Sequence, residues 1–192
     1  MRVVMKLLVT AVCGIALGLF ATWVLVVRAA PMGGDVRDGP WRTSLATGSA
    51  QGGAWLRASV ALHGLLALNR SETIYYTATT DRLGGKLDAH CLYRVVGRDP
   101  PARWWSITAY GPDDFLIPNP QHLYSVSKTS VDRHPDGSGF LVTLGHDDIH
   151  SQEIATGKGA FSLTLRLYNP DAAVAADPAH VKLPSIVRVR CT

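Results

Sequence analysis

The chain has 192 residues, of which 47% are hydrophobic and 18% are charged. This length fits one domain with a buried core, and the apolar fraction excludes an intrinsically disordered protein. The formal net charge of +4 arises from 19 basic and 15 acidic side chains. Three of the basic residues, Arg2, Lys6 and Arg28, flank the first apolar segment. The remainder therefore carries 16 − 15 = +1 without a basic run, which argues against a nucleic-acid-binding protein.

The amino-terminal segment is predicted to be a transmembrane helix. Residues 7–27 contain no charged side chain, and as a helix they would extend about 31 Å, the thickness of the hydrocarbon core. The amino group, Arg2 and Lys6 outnumber Arg28, so the amino terminus is expected in the cytoplasm. We therefore expect a cytoplasmic segment 1–6, a single inner-membrane span 7–27, a linker 28–53 and a periplasmic domain 54–192.

A cleaved signal peptide is the alternative to this anchor. Signal peptides have a shorter apolar region of about 7–15 residues, followed by a small-x-small cleavage site. Cleavage after Ala30 would place Arg28 at position −3 and Pro31 at position +1, and both are unfavourable. The sequence thus favours an uncleaved anchor.

The rest of the chain is predicted to be mainly β. Segment 28–53 is rich in Gly and Pro and is interpreted as a linker. Residues 54–68 form an amphipathic helix in this interpretation, with an apolar stripe of Trp55, Ala58, Leu62, Leu65 and Leu66. Alternating apolar and polar residues then predict strands at 74–79, 91–96, 104–110, 140–144, 161–168 and 186–190. This order of elements indicates an antiparallel, jelly-roll-like β-sandwich with one early helix.

Several segments of the predicted domain resemble the bacterial domain of unknown function 1214. The clearest is Phe-Ser-Leu-Thr-Leu-Arg-Leu-Tyr-Asn-Pro at 161–170, and the others lie at 65–72, 93–95, 103–110, 119–120, 124–126 and 184–188. The resemblance implies a mostly antiparallel β-sandwich and no established activity or catalytic residue. Longer relatives place this domain after a second domain, whereas here a membrane anchor precedes it. Relatives often carry an Asn-Trp-Leu-Pro-like stretch where this chain reads His-Ser-Gln-Glu-Ile-Ala at 150–155.

Aromatic residues of the third predicted strand are the candidate ligand-binding residues. Trp104 and Trp105 point to opposite faces of the strand, so that one belongs in the core and the other is available for a ligand groove. Tyr110 ends the same strand. Aromatic rings on a sheet surface stack on sugars or apolar ligands. Core packing of both tryptophans is the alternative.

A candidate metal site lies in the segment His-Asp-Asp-Ile-His at 146–150. On a strand, His146, Asp148 and His150 share one face, and two imidazoles with one carboxylate suit zinc, iron or manganese. The alternative is a solvated polar hairpin that binds nothing. No other cofactor is indicated.

Two further groups of charged residues favour structural roles. Asp113 and Asp114 follow Gly-Pro and are expected to form a turn rather than an acid–base pair. Four arginines on or beside the predicted strands, Arg70, Arg94, Arg103 and Arg166, are expected to form structural ion pairs.

The cysteines predict one disulfide. Cys13 lies inside the apolar span, which leaves Cys91 and Cys191 in a compartment that oxidises thiols. A bond between them would hold the carboxyl-terminal strand in place. Two separate buried thiols are the alternative.

No common catalytic or nucleotide-binding motif is present. We therefore interpret the chain as a membrane-tethered periplasmic domain that binds an envelope component or a small apolar or sugar-like ligand. The alternative is an envelope enzyme that acts on a lipid or glycan through His146, Asp148 and His150. The ligand and any protein partner are not identified by the sequence.

Overall fold

The computed structural model describes residues 2–24, 36–49, 52–62, 67–145 and 153–191. Its first helix, α1, spans Arg2–Trp23, and none of its residues is buried. Within the described chain, α1 is the one helix long and apolar enough to cross a membrane. It begins before the predicted residue 7 because Arg2 and Lys6 are compatible with helical structure.

The described residues form eleven strands in two sheets, and the predicted mainly β, antiparallel fold is confirmed. The first sheet has six strands in the order β1-β2-β3-β10-β5-β6, and the second has the order β11-β4-β8-β7, with β9 paired to β8. The strands are β1 Val36–Asp38, β2 Trp41–Thr43, β3 Thr73–Ala78, β4 Cys91–Gly97, β5 Ala102–Tyr110, β6 Ser125–Ser127, β7 Asp132–Arg133, β8 Phe140–Gly145, β9 Glu153–Ala155, β10 Ser162–Pro170 and β11 Ser185–Cys191. All described strand pairs are antiparallel except β8 with β9.

The core lies between the two sheets and follows from the alternation of the strands. Every second residue of β3, β10 and β5 faces inward, and neighbouring strands align these residues in rows. The rows are Ile74, Leu167 and Trp105; Tyr76, Leu165 and Ile107; and Ala78, Leu163 and Ala109. The second sheet supplies Tyr93, Val95, Phe140, Val142 and Leu144 to the same hydrophobic cluster. Full burial of each large aliphatic or aromatic side chain contributes about 1.5–3 kcal/mol.

The segment 28–53, which the sequence predicts to be a linker, contains strands β1 and β2 of the first sheet. Strand β2 pairs with β3, so that Trp41 lies opposite Ala78 and Arg42 opposite Thr77. Trp41 is 1% exposed, and its indole nitrogen donates a hydrogen bond to the carbonyl of Pro184 at 2.7 Å. The sheet therefore begins at Val36 rather than after residue 53. A hairpin this short, closed at Gly39, has too little alternation to be distinguished from a Gly-rich linker.

The predicted amphipathic helix is correct in position, but its buried face is different. Helix α2 spans Ala54–Leu62. Its most buried side chain is Ser59, whereas Trp55 and Leu62 of the predicted apolar stripe are 42% and 62% exposed. Residues 63–66, with two further members of that stripe, lie outside the described residues.

The structure contains the disulfide between Cys91 and Cys191, and it joins the ends of two neighbouring strands. The two residues are opposite each other in the pairing of β4 with β11, with their Cα atoms 3.9 Å apart. Cys13 is not part of a disulfide. The bond therefore fixes the last described residue of the chain to the start of β4.

A buried carboxylate fixes the same edge strand at a second point. Asp81 is 3% exposed, and its Oδ1 accepts hydrogen bonds from the amides of Leu83 and Gly85, both at 2.9 Å. Its Oδ2 lies 2.8 Å from Nη2 of Arg188 in β11. Because both oxygens have partners, the carboxylate is stable in its buried position and couples the turn at 81–85 to β11.

Tyr76 connects the core of the first sheet to the segment after helix α3, which spans Ala172–Ala176. Its hydroxyl donates a hydrogen bond to the carbonyl of Pro178 at 2.9 Å. Burial raises the pKa of Tyr76 well above its ordinary value, and the negative charges of Asp38 and Asp177 raise it further. The hydroxyl therefore stays protonated wherever the fold is intact.

Candidate ligand-binding site

The outer face of the six-stranded sheet carries rings, hydroxyls and one central guanidinium. Residues of β3, β10 and β5 that face away from the core align in rows, as Tyr75, Arg166 and Ser106 do. Arg166 donates hydrogen bonds to Thr108 Oγ1 at 3.1 Å and to the Tyr110 hydroxyl. Its guanidinium carbon lies 5.9 Å from the centre of the Tyr75 ring and 5.5 Å from that of Tyr110. Arg166 thus orders this polar surface.

The expected ion pair of Arg166 is absent from the described part of the chain. Its partners are hydroxyls and aromatic rings, because β5 and β10 place those residue types on this face and no carboxylate beside them. The guanidinium nevertheless keeps charge-assisted hydrogen bonds, which are stronger than neutral ones.

The structure separates the two tryptophans as the alternation requires. Trp105 is 0% exposed, and its ring centre lies 4.5 Å from that of Phe140. Its indole nitrogen donates to Asp99 Oδ1 at 2.9 Å. The inclusion of Trp105 among ligand-contacting residues is therefore wrong, because a side chain enclosed between two sheets cannot reach a surface ligand. It is a core residue.

Trp104 and Tyr110 both remain on the outer face, at opposite ends of β5. Trp104 is opposite Tyr168, with ring centres 5.2 Å apart, and Tyr110 is opposite Ser162. The two are six positions apart along the strand, which corresponds to about 20 Å. A ligand the size of one sugar ring therefore contacts one of the two and not both.

A groove of about 630 Å³ lies at the Tyr110 end of the sheet, and we call it the end groove. Its lining combines the hydroxyl-bearing residues Thr77, Thr79, Thr80 and Ser162 with a larger apolar surface that includes Leu87 and Pro112. Two cationic side chains, Arg42 and Lys86, also line it. The volume falls in the range typical of small-molecule sites.

The turn after β5 forms one wall of the end groove. Asp113 Oδ1 accepts a hydrogen bond from the amide of Phe115 at 3.2 Å, and the Asp114 amide donates to the Gly111 carbonyl at 3.1 Å. Asp114 has a φ of 63°, a left-handed conformation that Asp tolerates in turns. The two aspartates therefore form a turn, and Asp114 lines the groove.

The family model "Protein of unknown function (DUF1214)" matches residues 72–172. This match covers 101 of 192 residues, more than half of the chain. The chain belongs to this family. The DUF1214 match includes all strands from β3 to β10, so it contains the central strands of both sheets.

Two solved structures are similar to this DUF1214 chain. The VPA0106 protein from Vibrio parahaemolyticus matches 71% of the chain at 21% identity, with a TM-score of 0.59, and it shares the fold. A putative uncharacterized protein from Burkholderia cenocepacia matches 92% at 16% identity, with a TM-score of 0.46. The chain covers 35% and 42% of those two proteins, less than half of either. No curated protein matches it.

The predicted metal ligands His146, Asp148 and His150 lie outside the described residues of the DUF1214 chain. Among the residues that the structure describes, no three His, Cys, Asp or Glu side chains form a group that could hold a metal ion. The metal site and the enzyme hypothesis that depends on it stay predictions.

Sequence reasoning missed most residues of the end groove. Arg42 lies in the segment interpreted as a linker, and Lys86 in what is predicted to be a simple hairpin turn. The groove contains residues from four separate segments of the chain, so no local spacing motif indicates it. The one local feature that points to the groove is the segment Thr-Ala-Thr-Thr at 77–80, which places three hydroxyls close together in the chain.

Proposed function

We propose that this DUF1214 chain is a membrane-anchored domain of the bacterial envelope that binds a hydroxyl-rich, sugar-like ligand in the end groove. The observation that carries the proposal is the composition of the groove. Threonine hydroxyls and two cationic side chains provide many hydrogen-bonding groups, Pro112 and Ala160 belong to the apolar part of the lining, and Tyr110 lies beside the groove opposite Ser162. Sugars present both hydroxyls and apolar C–H faces, so they match such a lining.

The anchor part of the proposal is supported by α1. Its 22 residues extend about 33 Å, enough to cross the hydrocarbon core, and none of them packs into the domain. The positive charges at Arg2 and Lys6 favour a cytoplasmic amino terminus. The disulfide between Cys91 and Cys191 is consistent with a domain in an oxidising compartment such as the periplasm.

Topology is tested with reporter fusions. Alkaline phosphatase fused after the last strand is expected to be active, because the enzyme folds only where disulfides form. The same fusion is expected to be inactive when the reporter precedes α1. Activity of a cytoplasmic reporter at the carboxyl-terminal position would contradict the orientation.

Ligand binding is tested on the full chain in neutral detergent, with a panel of neutral oligosaccharides and native mass spectrometry. We expect saturable retention of at least one oligosaccharide and weaker retention by Thr79→Val and Lys86→Gln. Arg94→Gln is the matched control, because Arg94 is exposed on β4 in the other sheet and also loses one positive charge. Retention that is lost equally in the control, or that occurs with alkanes and not with sugars, contradicts the proposal.

A further inference from the structure

A second, smaller cavity lies between α2 and the outer face of the six-stranded sheet, and we call it the α2 cleft. Its volume is about 60 Å³, far below that of the end groove, so it admits a small group rather than a sugar ring. Leu56, Ser59 and Val60 of α2 form one wall, and Thr73, Tyr75 and Thr77 of β3 form another. No acidic residue is among the described residues that line it.

Two arginines give the α2 cleft a positive charge, and no residue that the structure describes neutralises it. Arg42 and Arg70 both line it, and both are half-buried. Within the described part of the chain, neither side chain forms an ion pair or a hydrogen bond. Partly buried arginines are usually paired, since loss of hydration costs free energy that a partner must offset. The pair therefore indicates a site for an anion.

An unpartnered hydroxyl supports the same conclusion from a different side of the α2 cleft. Thr73 lines the cleft and is 2% exposed, and its Oγ1 has no hydrogen-bond partner among the described residues. A buried hydroxyl without a partner has lost its hydration without a compensating hydrogen bond, which destabilises the fold. Native structures retain such a group where it has a role, for example as a donor to a bound ligand.

From these two observations we infer that the α2 cleft is a binding site for a tetrahedral oxyanion, namely a phosphate group. Arg42 and Arg70 would supply the charge, and Thr73 a hydroxyl donor. Guanidinium groups suit this role because their planar N–H donors match the oxygens of phosphate.

The position of the α2 cleft suggests what the phosphate is attached to. Arg42 and Thr77 line both the cleft and the end groove, so the two cavities are neighbours on one sheet face. One ligand could place a sugar in the groove and a phosphate in the cleft, which makes a phosphorylated sugar the fitting class. This extension rests on the proposed function, whereas the cleft itself is tested without a sugar.

The test uses inorganic phosphate and the full chain in neutral detergent, titrated calorimetrically at constant ionic strength against chloride. We expect saturable binding that Arg70→Gln and Thr73→Val each weaken about tenfold or more, the loss typical of a charge-assisted hydrogen bond. Thr73→Ser keeps the hydroxyl and is expected to restore binding. Arg94→Gln removes an equal charge from the other sheet and is expected to bind like the wild type. Arg42 is left unchanged because it borders both cavities.

Two outcomes overturn the inference. The first is the absence of saturable phosphate binding by the folded wild-type chain. The second is an equal loss in Arg94→Gln and Arg70→Gln, which would indicate binding to net charge alone. If Arg70→Gln fails to fold, the comparison of Thr73→Val with Thr73→Ser decides, since equal affinity of that pair also contradicts the site.

The source of the phosphate is resolved by three probes. Glucose 1-phosphate, glycerol 3-phosphate and inorganic phosphate share the oxyanion, so binding of any of them that depends on Arg70 and Thr73 supports the site. Tighter binding of glucose 1-phosphate indicates a sugar phosphate, and tighter binding of glycerol 3-phosphate indicates a lipid headgroup. Phosphate binding without any sugar binding retains the cleft and rejects the proposed function of the end groove.

Discussion

Removal of the disulfide is expected to destabilise the domain strongly. In the double variant Cys91→Ala with Cys191→Ala, the chain loses a bond between residues 100 positions apart. For a loop of about 100 residues, the loss of conformational restriction in the unfolded state is worth about 4–5 kcal/mol. For a domain of about 150 residues this corresponds to a decrease in Tm of about 10–15 °C.

The folded structure limits how far the damage spreads. Strand β11 keeps two other attachments, the fully buried Ile186 and the ion pair of Arg188 with Asp81. We therefore expect local fraying after Arg188 in the double variant, with the rest of the sheet intact. Hydrogen exchange separates the two effects: amides near the chain end should lose protection by local opening, whereas core amides should lose only the protection that corresponds to the lower global stability.

The measurement is urea unfolding of the full chain in neutral detergent, followed by tryptophan fluorescence. The free energy of unfolding should fall and the denaturant slope should rise, because the unfolded chain without the bond exposes more surface. Cys13→Ala is the control and should leave both quantities unchanged, since Cys13 lies in the exposed helix α1. A free energy of unfolding of the double variant within about 1 kcal/mol of the wild-type value would refute the reasoning. Free thiols at both Cys91 and Cys191 in the wild-type chain under non-reducing conditions would refute it as well.

Four further substitutions test the packing. Asp81→Ala should reduce stability by about 2–4 kcal/mol in urea unfolding, because two amides and Arg188 lose a charged acceptor; a change below about 1 kcal/mol would contradict this role. Because the pKa of Tyr76 is raised in the folded state, its contribution to stability is complete below about pH 10 and is lost as the pH rises further. Tyr76→Phe should therefore flatten the decrease in Tm above about pH 10, and an unchanged slope in that range would argue against this assignment. Trp105→Ala should cost about 3–5 kcal/mol and Trp104→Ala clearly less, and equal losses would contradict their placement on opposite faces.

The central strands were predictable from the sequence because their burial pattern is strictly local. In β10, three leucines at 163, 165 and 167 alternate with Thr164 and Arg166. Such a pattern allows only one face of the strand to pack against the core. The family resemblance points to the same segments. The fold class therefore follows from short-range information.

The early part of the domain was not predictable in the same way. Trp41 is buried by Pro184 and by strands far along the chain, so nothing beside it in sequence reveals its position. In α2, Ser59 faces inward because the opposing surface is polar, with Thr73 and Arg42 on it. An apolar stripe predicts the buried face of a helix only when the surface it covers is apolar as well.

The candidate site depended even more on long-range assembly. Strand alternation places Tyr110 on the outer face opposite Ser162, and its role as a ligand-binding residue stays a prediction. The cationic residues of the two cavities come from turns and from a hairpin with few residues, and these elements carry no periodic signal. A site whose residues come from several separate segments can be recognised only in the folded structure.

The early start of the first sheet at Val36 has a mechanical consequence for the proposed anchor. Between the described end of the helical segment at Val24 and Val36 lie only residues 25–35, eleven in number. Eleven residues cover at most about 40 Å when fully extended, whereas the linker expected from the sequence, 28–53, would reach about twice as far. If α1 crosses the bilayer as proposed, the domain stays within about 40 Å of the end of that helix. The proposed binding surface then samples a thin layer above the lipid headgroups, where molecules attached to the membrane are concentrated and soluble ones are not.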